Sequence, residues 1–200
     1  MAMVTRAPAA QDSDATIIRQ SRLEPECFAA IFDRYYAQIH GYVARRLGAS
    51  LADDVAAETF LIAFARRDRY DAAWPSARPW LYGITSHLIS GHNRSEQRRY
   101  RALARVGTES VTEGHADQVA LRVDAQARRA SLMAALAGIA DGDRDVLLLV
   151  ACAGLSSDEA GQALGIPAGT ARSRLHRARK RIRAALAEAP RPTTEKEHRQ

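Results

Sequence analysis

The sequence predicts an all-α protein made of two small helical domains joined by a flexible linker. Three observations carry that expectation. Apolar residues recur at three- and four-residue steps through most of the chain. No segment alternates apolar and polar residues between turn signals, as a strand would. The periodic segments also fall into two blocks, separated by Gly107–Ala116, a stretch with little apolar content and no period. The expected organisation is a flexible tail over 1–22, a first domain over 23–101, a linker over 102–124, a second domain over 125–188 and a tail over 189–200. The two blocks do not resemble each other, so a repeat array is not expected.

In the first block, Phe28, Ile31, Phe32, Tyr35, Ile39, Tyr42, Val43 and Leu47 mark a long amphipathic helix that ends at Gly48. Ser50 reads as the N-cap of a second helix carrying Val55, Leu61, Ile62 and Phe64. Pro75 breaks helicity in the stretch Tyr70–Ser76. A third helix follows from about Ala77, with Trp80, Leu81, Ile84, Leu88 and Ile89, and it accommodates Pro79 only in its first turn. Gly83 and Gly91 are unusual inside it, each costing ~1 kcal/mol against Ala in a helix. A basic segment, Arg94–Arg105, comes next. In the second block, Leu132, Met133, Leu136 and Ile139 form one helical face, and Val146, Leu147, Leu149 and Val150 form the next.

The most specific stretch is Leu155–Leu186. Ser156 and Glu159 have the spacing of a capping box, Gly165 stops a short helix, and Pro167 opens another. Ala160, Ala163 and Leu164 give the first of these helices an apolar face, and Leu175, Ile182 and Leu186 give the second its stripe. Two short helices around a Gly-containing turn read as a helix-turn-helix, whose second member lies in the DNA major groove. That second helix carries Arg172, Arg174, Arg177, Arg179, Lys180, Arg181 and Arg183 with no acid between Arg172 and Arg183, so no i,i+4 pair neutralises it. A formal net charge of +6 agrees with a polyanionic partner.

Other classes find less support. Cys27 and Cys152 form no CxxC pattern, and no HExxH, Walker loop, GxGxxG or nucleophile elbow occurs, so neither a metal, a cofactor nor catalysis is expected. The two thiols read as small core residues of a cytoplasmic protein. No apolar run has the length of a signal peptide or a membrane span.

The segments FDRYY, DDVAAETFLIAF, RPWLYGI and GIPAGTARSRLHRARKRIRAAL resemble, in this order, the short sigma factors of bacterial RNA polymerase, the extracytoplasmic-function group (group four) of the sigma-70 family. The resemblance covers nearly everything except the linker and tails. It implies a sigma region 2 helical bundle and a sigma region 4 helix-turn-helix. The implied function is a promoter-recognition subunit without catalysis of its own, which binds core RNA polymerase and reads a two-part promoter.

On that reading the C-terminal domain takes the minus-thirty-five element as duplex, through Thr170, Arg172, Ser173, Arg174, His176, Arg177 and Arg179. Arg172, Ser173 and Arg177 match the base-reading positions, and Arg174, Arg179 and Arg183 are better placed for phosphate. The N-terminal domain takes the minus-ten element as single strand, through Trp74, Ser76, Ser86, His87, Ser90 and Arg94, whereas Trp80 and Tyr82 are assigned to the core. Asp53, Asp54 and Glu58 match the segment that meets the clamp of the largest polymerase subunit, and region 4 would meet the flap. The family often has Gln where this chain has Ala57, and Asn where it has His87.

The resemblance leaves room for an anti-sigma factor as a further partner, and the chain is expected to be a monomer without membrane contacts. An operator-binding regulator would explain 155–186 but not the DDVAAETF and RPWLYGI blocks. A helical adaptor would explain the amphipathic helices but not the arginines. A disordered tether of about 25 residues reaches ~80 Å when extended, enough for elements ~50–70 Å apart, and it also lets the domains fold together. The isolated protein is therefore expected to be compact and partly self-masking.

Overall fold

The computed structural model describes residues 12–106 and 116–187, and every regular element among them is helical. Seven long helices and two short ones run in the order α1 (Asp14–Gln20), α2 (Ala29–Leu47), α3 (Ala49–Ala65), α4 (Arg78–Ser90), α5 (Asn93–Val106), α6 (Ala116–Gly138), α7 (Asp141–Ala153), α8 (Ser157–Ala163) and α9 (Ala168–Ala187). Single 3-10 turns at Pro25–Phe28 and Arg67–Arg69 lead into α2 and out of α3.

The expected period produces α2, which buries Ile31, Tyr35, Ile39, Tyr42, Val43 and Leu47. The chain reverses at Gly48, and α3 packs back along α2. Ser50, expected as an N-cap, lies inside α3, which starts at Ala49 without a side-chain cap. Pro79 sits in the first turn of α4, as required. Gly91 closes α4 in a tight turn, and the basic segment continues as α5.

The helix-turn-helix forms from purely local signals. Ser156 Oγ accepts the Glu159 N–H at 3.1 Å, and Glu159 Oε2 accepts the Ser156 N–H at 2.7 Å, closing the capping box. At the other end of α8, Gly165 takes a φ of 63°. That left-handed residue lets Ile166 N–H reach Gly161 O at 2.9 Å and Gly165 N–H reach Gln162 O at 3.1 Å, a Schellman motif that only a residue tolerant of positive φ closes without strain.

Two expectations about the segments between domains are corrected. The tail over 1–22 contains α1, whose Ile17 and Ile18 are fully buried, because two adjacent apolar residues on a single pair of turns leave too little periodicity to read. The linker over 102–124 is helical at both ends, since α5 runs to Val106 and α6 starts at Ala116, and the two pack on each other. Residues 1–11, the middle of that linker and the tail over 189–200 lie outside the described residues.

The buried apolar side chains form one cluster that includes residues of both blocks. Where the blocks meet, the cluster encloses charges. Glu96 on α5 is fully buried and accepts from Arg46 Nε at 2.5 Å, Arg46 Nη2 at 2.9 Å, Arg144 Nη2 at 3.1 Å and the Tyr100 hydroxyl at 3.1 Å. Arg46 also donates to Asp145 at 2.7 Å and to the Tyr42 hydroxyl at 3.0 Å, and Arg144 donates to Asp141 at 2.7 Å. Burial works against the Arg46 charge, but Tyr42, Glu96 and Asp145 around it hold its pKa well above the ordinary value. Burial pushes Tyr42 up to about 12, so its hydroxyl stays protonated. Arg45 and Arg78 cap α7 by donating to the carbonyls of Cys152 (3.0 Å) and Ala153. Both cysteines are free thiols; Cys27 is buried and Cys152 half-buried.

Candidate nucleic-acid and polymerase interface

Helix α9 seats on α6, α7 and α8 through Ala171, Leu175 and Ala178, which are buried at helical spacing. Thr170, Ser173, Arg177 and Lys180 therefore face outward and are exposed. No acid on α9 itself pairs with its arginine run, as expected, but two of the arginines find acids on neighbouring helices. Arg172 pairs with Asp158 at 3.0 Å, both side chains 62% exposed, and Arg177 makes a two-pronged pair with Asp143 at 2.8 and 2.9 Å. The hydrogen bond and charge of Asp143 hold Arg177 above its ordinary pKa. These acids come from α8 and α7, where a search along one helix cannot find them. Exposed ion pairs contribute little to stability and exchange readily for another anion.

The remaining residues on this helix divide by direction. Ser173 Oγ donates to Gly169 O at 3.0 Å, one turn back. The Arg174 guanidinium lies over Gly142, where a Cβ would stand 2.6 Å from Nη1. Arg172, His176, Arg179 and Arg183 turn toward a cavity of about 1000 Å³ between the two blocks. Its apolar floor includes Leu103, Leu132, Met133, Leu136, Leu147 and Ile182, and Arg45, Arg99 and Arg129 join the rim.

A second cavity, of about 400 Å³, brings together Trp74 and His87 from the expected strand-binding set. Trp74 is 46% exposed, on a loop between Tyr70 and α4. Its other walls include Arg66 and Arg69 after α3, Tyr70 and Gln162, to which sequence reasoning gave no role, together with Trp80 and, as part of a roof from α8, Ala163. The run Arg66-Arg67-Asp68-Arg69-Tyr70, which places cations beside an aromatic, was the available signal. Trp80 was assigned to the core, and it packs on Tyr70 at 5.1 Å between ring centroids while also facing this cavity.

Ser86 is corrected in this arrangement. It is buried with Tyr82, Thr85 and Ile89, because α4 is covered by α2 and α3 on one side and by α8 on another, leaving it a narrower exposed face than an isolated surface helix. His87, Ser90 and Arg94 are exposed, and Ser90 Oγ donates to His87 O at 2.6 Å. Ser76 is half-buried and accepts the Arg78 N–H at 3.3 Å. Neither Ser76, Ser90 nor Arg94 lines the cavity.

On α3, Asp53, Asp54 and Glu58 are all exposed. Asp53 lies 3.1 Å from His40 Nε2 and accepts from the Tyr36 hydroxyl at 3.4 Å. Leu61, expected on the core side, is 69% exposed one turn beyond Glu58, and Phe32 is 39% exposed, stacked on Tyr36 at 4.7 Å. An acidic ridge thus continues into an uncovered apolar patch, the pattern of an interaction surface.

Family models for sigma-70 region 2 and sigma-70 region 4 match residues 31–99 and 129–182. A probable RNA polymerase sigma-C factor of Mycobacterium bovis is 33% identical over 142 residues, covering 69% of this chain and 71% of the relative. The extracytoplasmic-function sigma factor SigW of Bacillus subtilis is 32% identical over 171 residues, covering 82% and 90%. The chain belongs to the sigma-70 family, in its extracytoplasmic-function group. The solved structure of CnrH in complex with the cytosolic domain of CnrY shares the fold, with a TM-score of 0.59 at 23% identity over 89% of this chain and all of that one.

This sigma factor accordingly acts in promoter-directed transcription initiation, with RNA polymerase and promoter DNA as its partners. Every candidate residue on α3 and α4, together with Arg94, falls within the region 2 match, and every one on α9 within the region 4 match. Among the described residues no helix is long and apolar enough to cross a membrane, and no cluster of three or more His, Cys, Asp or Glu is placed to hold a metal ion.

Proposed function

We propose that this sigma factor reads the minus-thirty-five element as duplex with α9, captures the minus-ten strand at the Trp74–His87 cavity, and docks on core polymerase through Asp53, Asp54 and Glu58. The cavity carries the reading. Its aromatic walls, Tyr70, Trp74 and Trp80, suit an unstacked base, and Arg66 and Arg69 at its edge suit the phosphates flanking it. On α9, the residues opposite Leu175 have the outward direction that base contact in the major groove needs. Arg177 would exchange Asp143 for DNA, and the Arg174 and Arg179 flanks would take phosphate. Asp54, Glu58 and Leu61 form one face suited to a basic and partly apolar surface of the clamp, and region 4 would meet the flap.

In the arrangement described above, Gln162 and Ala163 roof the strand cavity. The free protein is thus closed, and α8 leaves α4 when polymerase and promoter bind. An anti-sigma factor is a fitting further partner. A related fold has been solved as RpoE in complex with the anti-sigma factor NepR, and the larger cavity here offers an apolar floor with an arginine rim and no acid among the described residues of its walls. Such a groove suits an acidic amphipathic segment. The protein acts as a cytoplasmic monomer and supplies no catalysis of its own.

Run-off transcription with purified core polymerase and a genomic fragment library tests the reading. Transcripts that depend on this protein and share a two-part upstream motif are expected. No transcript, together with failure to co-elute with core polymerase, would overturn it.

A further inference from the structure

The carboxylate of Asp14 is 2% exposed, although it belongs to a segment that lies before the region 2 match. It collects three donors from distant parts of the chain. Arg34 Nη1 reaches Oδ1 at 2.5 Å, the Tyr35 hydroxyl reaches Oδ2 at 2.5 Å, and the backbone N–H of Ala77 reaches Oδ2 at 2.7 Å. Ala77 is the N-cap residue of α4 and offers no side chain to its own helix. Asp14 therefore places a negative charge at the positive end of α4 from 63 positions upstream. Helix α1 can hold it there because Ile17 and Ile18 are fully buried and Ser13 Oγ caps the helix on the Thr16 N–H at 3.3 Å.

Ala77 ends the loop that begins after Tyr70 and carries Trp74 and Ser76. The opposite end of that loop is pinned as well. The Tyr70 hydroxyl donates to Trp74 O at 2.6 Å, and Asp71 Oδ1 accepts the Ala73 N–H at 2.9 Å. Burial, with the Asp14 charge as a further contribution, raises the Tyr35 and Tyr70 pKa values, so both hydroxyls remain donors at neutral pH. One buried carboxylate from far upstream thus fixes the last residue of this loop.

We propose that Asp14 is a positioning residue for strand capture: it anchors the 71–77 loop at Ala77 and so sets where Trp74 stands at the mouth of the cavity. This rests on the strand-capture reading above. It makes the N-terminal helix α1 a working part of the promoter-opening module, whereas the sequence of this segment reads as a tail.

The test uses full-length protein assembled with core polymerase. The probe is a fluorescent single-stranded oligonucleotide carrying the minus-ten segment of a promoter found by run-off transcription. Asp14→Asn keeps the volume and removes the charge. Strand affinity is expected to fall about tenfold, while affinity for core polymerase and for minus-thirty-five duplex stays unchanged. Ile17→Ala loosens α1 with the carboxylate in place, and is expected to lower thermal stability while keeping strand affinity. Acrylamide quenching of Trp74, in a Trp80→Phe background, is expected to rise in Asp14→Asn and not in Ile17→Ala.

Equal losses of strand affinity in both variants would make Asp14 a merely structural residue and overturn the proposal. Unchanged strand affinity in Asp14→Asn would overturn it alone. Failure of the unsubstituted holoenzyme to hold the strand would overturn the strand-capture reading and this proposal with it.

Discussion

Glu96 is a carboxylate buried at the point where two arginines from different helices meet. It has no exposure, and it faces two guanidinium groups, one from α2 and one from α7. A buried ion pair is not in itself a strong stabiliser, because removing the charges from water costs about as much as their attraction returns. Removing one partner is a different matter, since the others stay buried with part of their compensation lost. Glu96→Gln leaves Arg46 with Asp145 and Arg144 with Asp141, and removes the carboxylate charge that both arginines donate to. The expected cost is about 3–5 kcal/mol, which lowers the midpoint of thermal unfolding by roughly 6–20 °C for a chain of this size. A midpoint within a degree or two of the unsubstituted protein would show that water enters the site and screens it. None of this was legible in the sequence. Arg46, Glu96 and Arg144 each sit in a run of ordinary helical charge, and only the packing of α2, α5 and α7 brings them together.

At the scale of the element, the helix-turn-helix was readable almost residue by residue, because its signals act within six positions of one another: a capping box, a left-handed glycine, an apolar stripe. Helix α1 and the start of α3 were not, since α1 owes its place to contacts with residues 34, 35 and 77, and α3 begins without the expected cap at Ser50. The charge on α9 was read correctly in sign and incompletely in environment. Asp143 stands opposite Arg177 and competes with any phosphate or base for that guanidinium. Asp143→Asn therefore should raise affinity for duplex promoter DNA several-fold at low salt. The plot of log affinity against log salt should steepen by about one unit, the increment of one added cation–phosphate contact. Fluorescence anisotropy over a salt series measures both. An unchanged slope would mean that Arg177 points away from the duplex when α9 is bound.

At the scale of the whole molecule, the closed arrangement turns on a contact that a glycine permits. The sequence marks Gly83 as a cost within α4, and the structure supplies its reason: a Cβ there would stand 2.5 Å from the carbonyl oxygen of Ala163 in α8. That oxygen belongs to backbone, so Gly83→Ala cannot be absorbed by turning a side chain, and α8 must move. The local and the interdomain effects of this substitution have opposite signs. Alanine favours helix α4 by ~1 kcal/mol over glycine, so helical content should hold or increase, while region 4 is pushed away from region 2. A folded chain of this length has a radius of gyration near ~17 Å, and separating the two regions should add ~2–4 Å. Small-angle scattering together with far-ultraviolet circular dichroism distinguishes this opening from unfolding, in which the radius would rise as helicity fell. An unchanged radius would instead locate the closing force in the charges around Glu96 and in the capping of α7 by Arg45 and Arg78. The roof over the strand cavity would then yield only when polymerase pulls both regions apart.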